Sequence, residues 1–218
     1  MKSIQKIVEE QAHRWQLLHA KAPEAPRTLP VVTVSREPGS GGKLVAQGIA
    51  EELGLDLFHQ EVIHEMAKSA KVSMRLLETL DEKGLTVLEE YISSLVHREH
   101  LWPDGYLKQL LKVIGTIGGH GRAVIVGRGA NYVLPADHRF RIRVIAPKAF
   151  RASKVAAQFD ISPDEALRRI IRTGSDRKAF VRKYFNKNIS DPLNYDMILN
   201  TGTMSISHCV SAVCAALI

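Results

Sequence analysis

The spacing of apolar residues changes several times along the chain, and each change predicts an element. Residues 29–34 (Leu-Pro-Val-Val-Thr-Val) form a short β-branched run that reads as a buried strand. A glycine-rich stretch, Gly39-Ser40-Gly41-Gly42-Lys43, follows. Apolar residues then recur at helical spacing over 44–53 and stop at Gly54, a C-terminal cap. From 60 to 120 the pattern is helical and amphipathic. Ser73 is placed to cap a helix through Leu76, Leu77 and Leu80; Pro103 and Gly105 interrupt the region and residues 106–117 resume it. Ala123-Val124-Ile125-Val126 is a second buried run, ending at Gly127-Arg128-Gly129. Residues 140–146 give a third strand, in which Arg141 and Arg143 alternate with Phe140, Ile142 and Val144. Ser162-Pro163-Asp164-Glu165 is a helix start, 197–200 a late strand and 205–217 a closing helix. Upstream, residues 3–20 place Ile4, Ile7, Val8, Gln11, Trp15 and Leu18 near one helical face, and Pro23 and Pro26 make 21–28 a linker. Strands alternating with helices imply an α/β fold of three layers. Its mostly parallel sheet carries helices on both faces, over residues 29–218, with a helical insertion at 60–120.

Composition narrows the picture. A chain of 218 residues, 45% hydrophobic, can build a full core. It holds no apolar run that could span a bilayer, and the charged segment 1–16 lacks the core of a secretory signal. Its two cysteines, Cys209 and Cys214, fall on different faces of the closing helix, so they read as buried thiols of a reducing compartment, the cytoplasm. The net charge of +7 is concentrated in 139–143, 151–154 and 168–187. Most of these residues suit solvated helix faces, and a subset suits a phosphate site. No zinc-finger, aromatic RNA-binding or basic-zipper pattern appears, which leaves nucleic acid a minor option. His59 with His64, and His97 with His100, have no carboxylate or cysteine at ligand spacing. Trp15 and Trp102 suit packing anchors.

The glycine stretch carries the chemistry. A backbone that wraps a phosphate adopts positive φ and leaves no room for Cβ atoms, which Gly39, Gly41 and Gly42 allow. Ser40 adds a hydroxyl, and the helix beginning near Lys43 adds partial positive charge. The stretch departs from G-x-x-x-x-G-K-[ST] twice: Glu37 holds the first glycine position and Leu44 the place of the magnesium-binding hydroxyl.

These residues resemble a known family. Ser35-Arg36-Glu37-Pro38-Gly39-Ser40-Gly41-Gly42-Lys43 is similar to the loop of the bacterial cytidylate kinase-like family, a divergent branch of the P-loop nucleoside monophosphate kinases. Leu80-Asp81-Glu82, the run from Val124 to Leu134, the block 177–185, Asp191-Pro192-x-x-Tyr195-Asp196 and Asn200-Thr201 continue the resemblance over residues ~30–218, nearly a whole domain. It implies an ATP- and Mg²⁺-dependent phosphoryl transfer to a nucleoside monophosphate, in which the protein supplies positioning and charge. It implies that Arg36, Gly39, Ser40, Gly41, Gly42 and Lys43 hold the ATP phosphates and that Arg128 meets the acceptor phosphate. Arg172 and Arg177 would act from a lid spanning residues 160–190, and the insertion 60–120 would lie on the nucleotide side. Gly42 stands where cytidylate kinases carry their loop lysine. Lys43, one place later, either reaches the phosphates from a new angle or faces solvent. Val126 and Gly129 replace the acidic neighbours of the acceptor arginine, so cytosine specificity does not carry over. Asp176 suits a helix N-cap as well as a ligand to an arginine or to magnesium's water shell. Two readings stand: a nucleotide kinase, and a nucleotide-binding regulatory module with weak or no transfer. The N-terminal helix, outside the resemblance, is a candidate for homo-oligomer contacts or for packing on its own sheet edge.

Overall fold

Val31–Arg36 (β1) is buried along its whole length, as a strand covered on both faces must be. The computed structural model describes residues 30–80, 82–101 and 104–217, with residues 6, 7, 9–11, 13 and 15 of the N-terminal segment. After β1 come α1 (Gly42–Leu53), β2 (Asp56–Phe58), α2 (Gln60–Lys68), α3 (Ala70–Leu77), α4 (Glu82–Arg98) and α5 (Gly105–His120). Then follow β3 (Ala123–Val126), α6 (Ala130–Val133), β4 (Arg139–Ile145), α7 (Lys148–Phe159), α8 (Pro163–Phe185), β5 (Met197–Asn200) and α9 (Ile206–Leu217).

The five strands are parallel, in the order β2-β3-β1-β4-β5. Val32, Val34, Val124, Val126, Ile142 and Val144 pack with Val45 and Ile49 of α1 and Val213 of α9. Val31, Ala123 and Ile125 join the other core, filled by Ile63, Leu76, Leu110 and Ile114. The three-layer fold and the parallel sheet are as the hydrophobic pattern predicts. The order of strand addition switches sides at β1: its neighbours are β3 on one side and β4 on the other, so the loops after β1, β3 and β4 open together at one edge, where α/β sheets bind ligands.

Details differ from the sequence expectation. β2 is a strand that the pattern did not reveal; three residues between a glycine cap and a helix are too few to show a period. Among the described residues, the insertion contains four helices. Ser69, not Ser73, caps the second of them, its Oγ accepting from the Val72 amide. Ser73 is buried and its hydroxyl donates to the Met66 carbonyl, a bond that satisfies it inside the helix pair. Ser162 caps α8 as expected, with Pro163 opening the helix. Cys209 and Cys214 are both buried and free.

Two peripheral pieces bear on the site. The described N-terminal positions are helical and lie on the chain's own β2 edge: the Trp15 ring stacks on His120 at 3.9 Å, and Gln11 Nε2 donates to Asp56 Oδ2 at 2.7 Å. Ile4, Val8, Leu18, the linker 21–28, Asp81 and Trp102 lie outside the described residues. α7 and the first half of α8 form a hairpin with a small core of its own, Val155, Ala166 and Ile170. The far end of α8 ties into the main core through Phe185. A Leu110→Ala variant should lose about 2–5 kcal/mol of global stability in chemical unfolding, the cost of a cavity in the main core. Ile170→Ala should instead speed amide exchange in the hairpin while sheet amides keep their protection.

Candidate active site

The loop after β1 is bolted down from three directions. Glu37 takes a hydrogen bond from the Ala146 amide at 3.3 Å and an ion pair from Arg151 Nε at 3.2 Å, and Arg151 Nη1 also donates to the Pro38 carbonyl. The Thr201 hydroxyl donates to the Ser40 carbonyl at 2.7 Å. Ser40 itself is buried, its hydroxyl donating to the Glu37 carbonyl at 2.9 Å, so it braces the loop and does not face the cleft. Gly39 and Gly41 take φ of 79° and 72°. At Gly39 a Cβ would come within 2.6 Å of the Arg151 carbonyl oxygen, so glycine is required there on both counts. Among the described residues, the amides of Gly39, Gly41, Gly42 and Lys43 donate to no backbone acceptor. They remain as donors at the N-terminus of α1.

Around the end of β1 lie four arginines that form no ion pair with a carboxylate among the described residues: Arg36, Arg128, Arg143 and Arg177. Strand register brings two of them in. Arg36 ends β1, and Arg143 on β4 pairs in register with Ser35, whose Oγ accepts from Arg143 Nη1 at 2.9 Å. Arg143 Nη1 also donates to the Tyr195 hydroxyl, which donates onward to the Ile189 carbonyl. Arg177 reaches in from α8 and donates to the Arg36 carbonyl at 2.9 Å. Arg128 sits at φ 54° between Gly127 and Gly129, both also at positive φ, in a left-handed turn after β3. Its Nε donates to the Gln60 carbonyl, and its guanidinium lies 5.3 Å from the centre of the Phe180 ring. Burial, and next the charge of Arg177, pull Arg36 down to about 9. It therefore stays protonated at neutral pH, at a cost. Burial lowers Arg177 as well.

Two clefts meet at this cluster. One, of about 360 Å³, is lined by Arg36, Gln60, Arg128, Asn131, Asp176 and Phe180. The other, of about 190 Å³, runs under the hairpin past Pro38, Lys148, Arg151 and Ser175. Arg36 and Arg177 line both. Of the residues the sequence singled out, Arg36, Arg128 and Arg177 line the larger cleft together; Gly42 packs against Arg36, but none of residues 39–43 lines either cleft, and the loop reaches the smaller one only through Pro38. Arg172 does not join them: it is exposed on α8 and lines neither cleft. Lys43 points along the rim to Glu61 Oε1, at 3.1 Å, with both side chains about half exposed (54% and 55%), so this ion pair is weak. Burial would raise the Glu61 carboxyl, but hydrogen bonds from its own amide, from Lys43 and from Gln60 hold it at about 2. Asp176 lies in the middle of α8 facing the cleft, not at an N-cap, because the helix runs unbroken through Gly174-Ser175. The Asp191–Asp196 segment is a turn leading to β5: Asp191 caps the Leu193 amide, and Asp196 pairs with Arg141 at 2.6 Å.

Sequence reasoning missed Gln60, Asn131, Phe180, Arg143 and the bracing role of Arg151. Only Arg143 left a clear trace, as a charge inside a strand that a parallel sheet should have kept apolar.

Residues 31–203 match the sequence model of the Cytidylate kinase-like family. A cytidylate kinase of Pyrococcus horikoshii is 30% identical over 83% of this chain and 84% of its own. One from Methanothrix thermoacetophila is 25% identical over 79% of this chain and 88% of its own. Both are archaeal, so the resemblance holds without its bacterial restriction. An uncharacterized protein from Eubacterium ventriosum shares the fold, with a TM-score of 0.65 and 19% identity over 86% of this chain and 98% of that one.

Because the folded state lowers the Arg36 pKa, its charge works against folding wherever it is ionised, and the penalty lifts as pH rises through about 9. Arg36→Met should therefore melt no lower than the wild type without ligand at pH 7, and its advantage should shrink above pH 9. Calorimetric scans of both proteins across this range check the sign; a variant that melts several degrees lower at pH 7 would contradict it.

Proposed function

The chain belongs to the cytidylate kinase-like family, and from that premise we propose that it moves the γ-phosphoryl group of ATP onto a nucleoside monophosphate, cytidylate or a close relative. The observation that carries this reading is the cluster of Arg36, Arg128, Arg143 and Arg177, without carboxylate partners, where two clefts meet. Cations so arranged, two of them buried and two half-buried, suit a ligand that brings several negative charges, and two clefts sharing one cationic wall suit two phosphate-bearing ligands.

In this reading the ATP phosphates lie on the amides of Gly39, Gly41, Gly42 and Lys43, with Lys148 and Arg151 farther along the smaller cleft. The acceptor occupies the larger cleft, its phosphate against Arg128 and its base near Phe180 and Asn131, whose Nδ2 is buried without a partner among the described residues. An acceptor phosphate oxygen attacks the γ-phosphorus, the bond to the β–γ bridging oxygen breaks, and ADP leaves. Arg177, which lines both clefts, neutralises the charge in transit. Closure of the α7–α8 hairpin would bring Arg172 inward and exclude water. Magnesium would travel with the ATP phosphates and screen their charge. The carboxylates available to its water shell are Glu61, kept ionised at the rim, and Asp176 in the cleft. Leu44, half exposed at the position of the usual metal-binding hydroxyl, offers no oxygen. The rim position of Lys43 favours a second reading, a nucleotide-binding module with little transfer.

A coupled assay with ATP, Mg²⁺ and a panel of CMP, dCMP, UMP and AMP should show turnover with at least one acceptor. Nucleotide-induced stabilisation without turnover would select the second reading, and no stabilisation by any nucleotide would defeat both. Arg128→Ala should raise the KM of the acceptor about tenfold to 100-fold, the worth of one charged hydrogen bond, and leave the KM of ATP within about threefold.

A further inference from the structure

We infer that Arg36, delivered from the end of β1, takes the place of the loop lysine as the cation on the transferring phosphoryl group, and that Gly42 is a glycine because Arg36 occupies the space a lysine there would need. This rests on the kinase reading above.

The two positions exclude each other. A Cβ at Gly42 would lie 2.5 Å from Arg36 Cβ, 3.1 Å from Arg36 Cγ and 3.2 Å from Val144 Cβ, so no side chain fits there while Arg36, or any residue with a Cβ, stands at 36. Farther along, the Arg36 guanidinium passes Gly127, where a Cβ would collide with Nη1. Glycines on two loops, one after β1 and one after β3, thus line the path of a single arginine; Gly127 also needs glycine for its φ of 78°. A surface arginine needs no such path.

The path ends at the junction of the two clefts. Arg36 is 6% exposed. Its Nη2 donates to Gln60 Oε1 at 2.6 Å, and its Nε has no partner among the described residues. A buried guanidinium that lacks both a carboxylate and one of its bonds has donors to offer a ligand. Lys43, the other cation of the loop, is engaged with Glu61 outside that path.

The exchange alters the chemistry as well as the origin of the charge. A lysine at the start of a helix is a flexible point charge, whereas Arg36 is a planar fork on a buried strand, fixed before ligand binds. Its donors can serve oxygens in both clefts at once. The departure from the usual loop pattern is then a relocation of charge and not a loss of it.

Three variants test this: Arg36→Met, which keeps the stem, Lys43→Met, and the double change Arg36→Gly with Gly42→Lys, in which glycine removes the Cβ that blocks position 42. They are compared with the wild type and with Arg36→Gly for ATP-induced melting shift and for turnover with the best acceptor. Arg36→Met should fold, lose most of the ATP shift and lose about 10²–10³-fold in kcat, the range for removing one preorganised donor to developing charge. Lys43→Met should lose at least tenfold less. The double variant should recover tenfold or more over Arg36→Gly, which a merely structural role for Arg36 would not produce. The inference is overturned if Lys43→Met does as much damage as Arg36→Met, or if Arg36→Met stays within threefold of wild type; wild-type turnover would leave the kinase reading standing in either case. Should the wild type bind ATP without turnover, the kinase reading fails and the melting shift decides alone. Loss of that shift in Arg36→Met supports the placement, and its retention refutes it. If ATP stabilises no form of the protein, both ideas fall.

Discussion

Buried positive charge without a buried negative partner is the constraint on which the rest of the structure turns. Arg36 and Arg143 are buried and Arg177 half-buried beside them, and no carboxylate neutralises them directly among the described residues. Such charges are costly to desolvate. The fold holds them with neutral acceptors: a strand-end carbonyl for Arg177, the Ser35 and Tyr195 hydroxyls for Arg143, and the Gln60 amide oxygen for Arg36. These bonds fix direction without cancelling charge. The potential stays available to an anionic ligand, and stability given up in the free protein returns on binding.

The glycine loop follows the same logic at the backbone. Its unpaired amides are useful only if the loop cannot collapse onto them, so neighbouring elements hold it. Glu37 occupies the first glycine position of the usual phosphate loop because its carboxylate ties β1 to β4 and to α7. Thr201, just past β5, grips the Ser40 carbonyl from the other side. That gives the Asn200-Thr201 signature a physical reason: the end of the last strand sets the shape of the first loop. The sheet order makes this possible, because β4 lies between β1 and β5 and all three end at the same edge.

Much of this was legible in the sequence, and the limits follow physical lines. Long periodic segments and capped helices were readable because their signal is local: Ser162-Pro163 opens α8, Gly54 closes α1, and the β-branched runs are β1 and β3. The three residues of β2 carried too little pattern, and the choice between Ser69 and Ser73 as a cap depended on how two helices pack. The glycine loop stood out by composition, and Arg128 through the family resemblance. Gln60, Asn131 and Phe180 did not, since a cleft residue far away in sequence looks like any other polar or aromatic residue until the chain folds. The mutual exclusion of Arg36 and a side chain at 42 is the extreme case: six positions apart in sequence, the two meet only through the turn between β1 and α1.

The most direct measurement is a crystal structure of the protein with a bisubstrate analogue, adenosine joined through a polyphosphate chain to a pyrimidine nucleoside. The account predicts that the polyphosphate crosses the junction of the two clefts, with the loop amides on one end, Arg128 on the other, and Arg36 and Arg177 on the phosphates between. Phosphates bound away from the loop, with Arg36 still donating only to Gln60, would contradict it.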